Sequence, residues 1–214
     1  MAKKAPNARS RLDTYRKLAG LLLFLGAGQF IIAMFIGEAI CSNAVCSSSY
    51  KYGYNIADDA ISNLGVGAAA GIFNTSIIIL GVAAVLGAYL LFKVYNGKVI
   101  TLGLVLTGIG ATGVGIFPET FFVHGIFAFT AFIFSAISAV AAYRITDNPF
   151  RYVSLALGAL VLVSLTLIPF LTYPWDLGIG PGGIERLQVY PALLWAIAFG
   201  GYLMSHGVKR LNSA

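Results

Sequence analysis

The side chains of this 214-residue chain that could do chemistry are few, and they gather in three short stretches. Ser62 and Asn63 follow Asp58 and Asp59, Glu119 and His124 flank a connection that opens on Pro118, and Glu185 and Arg186 follow the glycine run from Leu177 to Gly183. A carboxylate or imidazole can act as a general base, and an arginine beside exposed N–H groups of a glycine-rich turn can hold a phosphate or carboxylate. On these grounds Glu119, His124 and Ser62 are the catalytic candidates. Asp59, Asn63, Asn74, Glu185 and Arg186 are the ligand-binding candidates. Ser62 and His124 with an acid would make a triad on paper, a combination that arises readily by chance. No GxSxG elbow and no HExxH pair is present, and no strong nucleophile stands out, so enzyme status stays open. Glu119 and His124 stand at i and i+5, whereas ligand pairs on one helix prefer i+3 or i+4, so neither a metal nor another cofactor is expected.

Each candidate has a plainer reading. Carboxylates such as Glu38, Asp58 and Asp176 are ordinarily just solvated. Asn74 and His124 fall where a chain enters an apolar stretch, and an unpaired amide or imidazole there costs roughly 1–3 kcal/mol. Both should therefore have a partner, and a structural hydrogen bond and a functional role stand level. The glycine run reads equally as a flexible lid over an anionic headgroup or as a turn with a Glu185–Arg186 surface pair.

The elements that must position these residues are apolar stretches: Leu18 to Ile40, Gly71 to Tyr95, Val99 to Phe117, Gly125 to Tyr143, Tyr152 to Thr172 and Val189 to His206. Each has about the ~17–25 residues a tilted helix needs to cross hydrocarbon. At 58% hydrophobic and 10% charged, the chain carries an apolar excess that lipid, not water, would accommodate. The expected fold is all-α, a polytopic membrane protein of six transmembrane helices in an up-down bundle. Of the 14 Lys and Arg residues, only Lys51 and Arg186 fall outside the two termini and the even-numbered connections. The positive-inside rule then puts the N and C termini in the cytoplasm, with a basic segment over 1–17, a membrane domain over 18–206 and a basic tail over 207–214. The net charge of +6 suits the anionic lipid of the inner leaflet, not nucleic acid. The first span is too long for a signal core and reads as a retained anchor. The segment before it reads as disordered or loosely headgroup-bound.

Cys41 and Cys46 lie in the first outward connection, an oxidising location for a multi-pass plasma-membrane protein, and are expected to form a disulfide. The third span is rich in small residues, Gly103, Gly108, Gly110, Gly113 and Gly115, which suit close helix packing. Gly108 to Gly113 also fits GxGxxG, but no strand precedes it and it lies within a span, so dinucleotide binding is set aside. Asn74 to Ser76 fits a glycosylation sequon too close to the membrane to be a good acceptor, and Pro169 is expected to kink the fifth span. The polar end of the bundle reads as an outward-facing pocket.

The runs Asp59 to Gly65, Phe73-Asn74, Gly115 to Glu119 with His124, and Gly183 to Leu187 resemble an uncharacterised prokaryotic membrane family, domain of unknown function 998. The resemblance spans nearly the whole chain and implies a six-span fold with Ser62, Asn74, Glu119, His124, Glu185 and Arg186 on one face. It implies no activity. More distantly, the Ile-Ser motif before the second span and the histidine opening a Phe- and Ala-rich span are similar to the eukaryotic family of GPI-anchor lipid remodelling and autophagy-modulating proteins. That likeness points to a protein that binds or processes a lipid headgroup at the outer leaflet. The alternatives are a structural subunit, joined by its glycines to a homo-oligomer or a larger membrane complex, and a small-solute transporter. The transporter would need polar residues through the core, where only Gln29, Thr107, Thr112, Ser135, Ser138, Ser164 and Thr166 occur.

Overall fold

The structure, a computed structural model, describes residues 8–46, 52–167 and 179–206. These form six helices: α1 (Ala8–Cys41), α2 (Ala70–Tyr95), α3 (Lys98–Ile116), α4 (His124–Ala142), α5 (Phe150–Leu167) and α6 (Gly180–Ser205). Two short 3₁₀ turns, Ile61–Gly65 and Gly67–Ala69, lead into α2. Among the described residues there is no strand, only one isolated bridge between Val45 and Tyr52. All helices but α5 are long and apolar enough to cross a membrane, and α5 is a shorter apolar helix.

Local chemistry sets the helix ends. Asn96 adopts a left-handed conformation (φ 52°) and its N–H caps Phe92 O, so α2 stops and α3 begins after Gly97. So short a link makes α2 and α3 antiparallel neighbours. Each helix packs on its neighbours in sequence, and α6 returns against α1 to close a ring. The buried glycines of α3 face both neighbours. A methyl group on Gly108 would meet Gly81 O on α2, and one on Gly110 would meet Ala131 N on α4, each at 2.5 Å. Backbones this close give the van der Waals contact that holds helices together where lipid supplies no hydrophobic force.

The apolar interior divides into two clusters. One, near the disulfide end, includes Phe30, Met34, Leu64, Phe73, Ile77 and Leu193. The other, near the opposite, basic end, includes Leu23, Leu91, Leu104, Trp195, Phe199 and Leu203.

Three expectations require correction. From Ala8 on, the segment before Leu18 is not loose but the first turns of α1, where Asp13 pairs with Lys17 (2.8 Å) and with Arg16. Arg16 is buried and donates to Leu203 O and His206 O, tying the start of α1 to the end of α6. The last helix starts at Gly180 and not near Val189, so Glu185 and Arg186 sit in its second turn instead of in a loop. Hydropathy hides this start because Gly180 to Arg186 is polar and glycine-rich, while Pro191 inside the helix looks like a boundary. Gly180 to Gly183 are consequently no flexible lid. Gly182 donates to Ala57 O at 2.8 Å, and a methyl there would lie 2.3 Å from Asp59 O. Only glycine lets α6 approach the 56–59 loop so closely. Tyr173, Trp175, Asp176, Pro169 and the start of the glycine run lie outside the described residues.

Candidate functional site

The Cys41–Cys46 disulfide is present and closes the turn that follows α1. Beside it, Arg186 organises the disulfide end. Its Nη1 donates to Ile56 O (2.8 Å), Asp59 O (3.1 Å) and Gly182 O (3.0 Å), and its Nη2 to Glu38 Oε1 (2.7 Å) and the Tyr54 hydroxyl (2.8 Å). The pair is sheltered, with side-chain exposures of 7% for Arg186 and 16% for Glu38. Burial pushes the Tyr54 phenol above its ordinary value, so the hydroxyl keeps its proton, accepts from Arg186 and donates to Ala60 O at 3.0 Å. The guanidinium thus joins α1, α6 and the loop between α1 and α2. Its two terminal nitrogens, expected to meet an anion, are committed within the protein.

Glu38 is the residue that sequence reasoning passed over. It was read as a solvated carboxylate, yet an acid in the last turn of an apolar helix carries the cost of burial and calls for a cation. That was the available signal. Asp59 is buried as well, and its Oδ2 accepts the Asn55 N–H at 2.7 Å, closing the turn that presents Asp59 O to Arg186. Asn63 donates to Glu119 Oε2, linking the first 3₁₀ turn to the α3–α4 connection. Asn74 donates to Gly65 O at 3.0 Å, while its buried Oδ1 has no partner among the described residues.

Ser62, His124 and Glu185 are placed differently from the rest: all three line one cavity. It has a volume of about 100 Å³ and is walled by α1, the first 3₁₀ turn, α2, α3, α4 and α6, with α5 outside it. Apart from these three residues its walls are almost wholly apolar, including Phe30, Phe73, Leu104, Phe132 and Trp195. Thr107 and Ser135 also line it, but their hydroxyls donate to Gly103 O and Phe132 O of their own helices at 2.8 Å. The lining runs from His124 to Ser135 along α4 and from Glu185 to Ala196 along α6. At about 1.5 Å rise per residue this is roughly 16 Å, about half the ~30 Å hydrocarbon thickness. The cavity is therefore a one-ended amphiphilic chamber.

At its polar end, Glu185 Oε2 accepts the Ser62 N–H at 3.3 Å, so the carboxylate caps the 3₁₀ turn from another helix. His124 Nδ1 lies 2.8 Å from Phe117 O. A carbonyl only accepts, so Nδ1 carries the hydrogen, and the tautomer with that single ring hydrogen leaves Nε2 as an acceptor. The imidazole is also close enough to interact electrostatically with Glu185. The arrangement offers one hydroxyl, one imidazole and one carboxylate to a polar group whose apolar remainder could enter the chamber. Among the described residues no group of three or more His, Cys, Asp or Glu converges as a metal site.

A family model described as "Protein of unknown function (DUF998)" matches residues 35–202. No curated protein and no solved structure matches the chain. The match runs from the end of α1 through most of α6 and takes in Ser62, His124 and Glu185. It covers far more than half of the sequence, and the chain therefore belongs to this family of proteins of unknown function.

Proposed function

We propose that this integral membrane protein binds a lipid or similar amphiphile, with its acyl chain in the cavity and its polar head among Ser62, His124 and Glu185. The observation that carries the reading is the chamber's polarity: apolar over roughly 16 Å, with unspent polar groups at one end only. A hydrocarbon tail gains from leaving no void, and a headgroup gains hydrogen bonds from His124 Nε2 and the Ser62 hydroxyl. The positive-inside rule assigns this end to the outer leaflet of the plasma membrane. The distant likeness to lipid-remodelling proteins points the same way. If the headgroup is processed, Nε2 of His124 is the group able to take a proton, with Glu185 beside it.

A structural role is the second reading, and it rests on how many polar groups at this end are paired internally, from Arg186 with Glu38 to Asn63 with Glu119. A transporter is less favoured, because the deeper hydroxyls of Thr107 and Ser135 are bonded to their own helices.

The two readings separate on filling the cavity. Ala192 lines it, and Ala192→Phe would occupy the space a tail needs. The expected result is that wild-type protein purified from membranes carries an amphiphile detectable by native mass spectrometry, and that the variant, folded and disulfide-bonded, has lost it. Equal retention by the two proteins, or wild-type protein that neither carries lipid nor gains melting temperature when phospholipid is added, would move the structural reading to first place.

A further inference from the structure

The basic end of the bundle has a recess of its own. A groove of about 390 Å³ runs over α4 between α3 and α5, with Ile100, Ile137, Val140 and Leu162 among its apolar lining. At its end stand Tyr95, Lys98 and Arg144. Tyr95 is 8% exposed, and its hydroxyl has no hydrogen-bond partner among the described residues. Arg144 is close enough to interact electrostatically with Tyr95. The groove also borders the start of α3, at Gly97, Lys98 and Val99, where no side chain caps the helix. The first N–H groups of that helix have no side-chain acceptor among the described residues, at the positive end of its dipole.

The two bases are available. Elsewhere at this end Arg16 and Lys17 pair with Asp13, Lys93 lies over the Tyr89 ring at 5.0 Å, and Arg151 over Tyr143 at 4.0 Å. Lys98 and Arg144 are exposed and have no acidic partner among the described residues. Two cations, the hydroxyl of a nearly buried tyrosine and amides at a helix start meet at the mouth of an apolar groove. That combination suits a phosphate monoanion attached to an acyl chain.

We propose that this groove binds one anionic phospholipid of the leaflet at the basic end, its phosphate held by Lys98, Arg144 and Tyr95 and one acyl chain laid along α4 between α3 and α5. The site is separate from the central cavity and stands whether or not that cavity holds a ligand.

Full-length protein in detergent, titrated with phosphatidylglycerol or phosphatidylcholine and read by native mass spectrometry, tests it. Wild-type protein is expected to take up one tight phosphatidylglycerol in preference to phosphatidylcholine. Lys98→Ala with Arg144→Ala should weaken that binding roughly 30-fold, at about 1 kcal/mol for each base near a headgroup. Arg9→Ala with Lys93→Ala removes the same charge from the same end and should leave it unchanged. Tyr95→Phe, which keeps the ring, should weaken it about tenfold. Equal losses in the two double variants would reduce the effect to general surface charge and overturn the site. Unchanged binding in Tyr95→Phe together with Lys98→Ala and Arg144→Ala would also overturn it. So would displacement of the lipid by millimolar inorganic phosphate, because the groove would then contribute nothing.

Discussion

The two ends of this bundle are held by different forces. At the disulfide end, polar side chains reach between elements: Arg186 joins α1, α6 and the 52–60 loop, Asn63 meets Glu119, and Glu185 caps a 3₁₀ turn. At the basic end Arg16 also ties α1 to α6 and Trp195 donates to Ser154 Oγ, but the interior there is filled by rings. Phe199 stacks between Trp195 and Phe150 with centroids 5.1 and 6.3 Å away, and Tyr202 stacks on Phe150 and His206 at 5.1 and 5.0 Å. Directional bonds can hold helix ends apart and keep a chamber between them, whereas stacked rings fill the space they occupy. The cavity reaches toward the ring cluster as far as Trp195 and Leu104.

The comparison is broken most severely at Arg186. Arg186→Ala leaves Glu38 sheltered without its cation, and a loss of roughly 3–5 kcal/mol is expected, read as a lower melting temperature in detergent and a lower folded yield. Replacing Cys41 and Cys46 together by serine, or reducing them, should cost about 2 kcal/mol, because the bridge closes a short loop of sequence separation 5. Dithiothreitol should lower the melting temperature of the wild type and leave that of the double variant unmoved. At the other end Phe199→Leu should cost less than about 1.5 kcal/mol, since ring packing has no bond direction to lose and neighbouring side chains can adjust. A loss there as large as that at Arg186 would mean the basic end is as directional as the other. Smallest of all, Lys98→Ala should shift stability by no more than about 0.5 kcal/mol, as an exposed base without an acidic partner among the described residues.

The helices were legible in the sequence to within a residue or two from α2 to α4, because a lipid-facing helix must be apolar along its length and Asn96, Gly97 and Pro118 mark its ends. The disulfide was legible for a local reason too, two cysteines in one short connection. The glycines of α3 were recognised as a packing stripe. The start of α6 was not legible, since the residues that begin it are apolar neither in composition nor in period. The glycine run from Leu177 to Gly183 reads equally as a lid or a turn in the sequence, and only the contacts of Gly180 and Gly182 with Ala57 and Asp59 show that its described part begins a packed helix. At the candidate site the sequence offered the residues as one group and could not sort them by where their side chains go. Arg186 and Asn63 turn inward to other protein groups, while Ser62, His124 and Glu185 line the cavity.

Composition and hydropathy were enough by themselves to determine an all-α chain of membrane-crossing helices, its basic and acidic ends and the bridge between Cys41 and Cys46, because each depends on residues near one another in the chain. Which cation meets Glu38, which hydroxyl and imidazole share a chamber with Glu185, and where that chamber ends were decided only by tertiary structure. Those facts depend on α6 returning to close the ring against α1, a contact between residues more than a hundred positions apart whose partners no local pattern records.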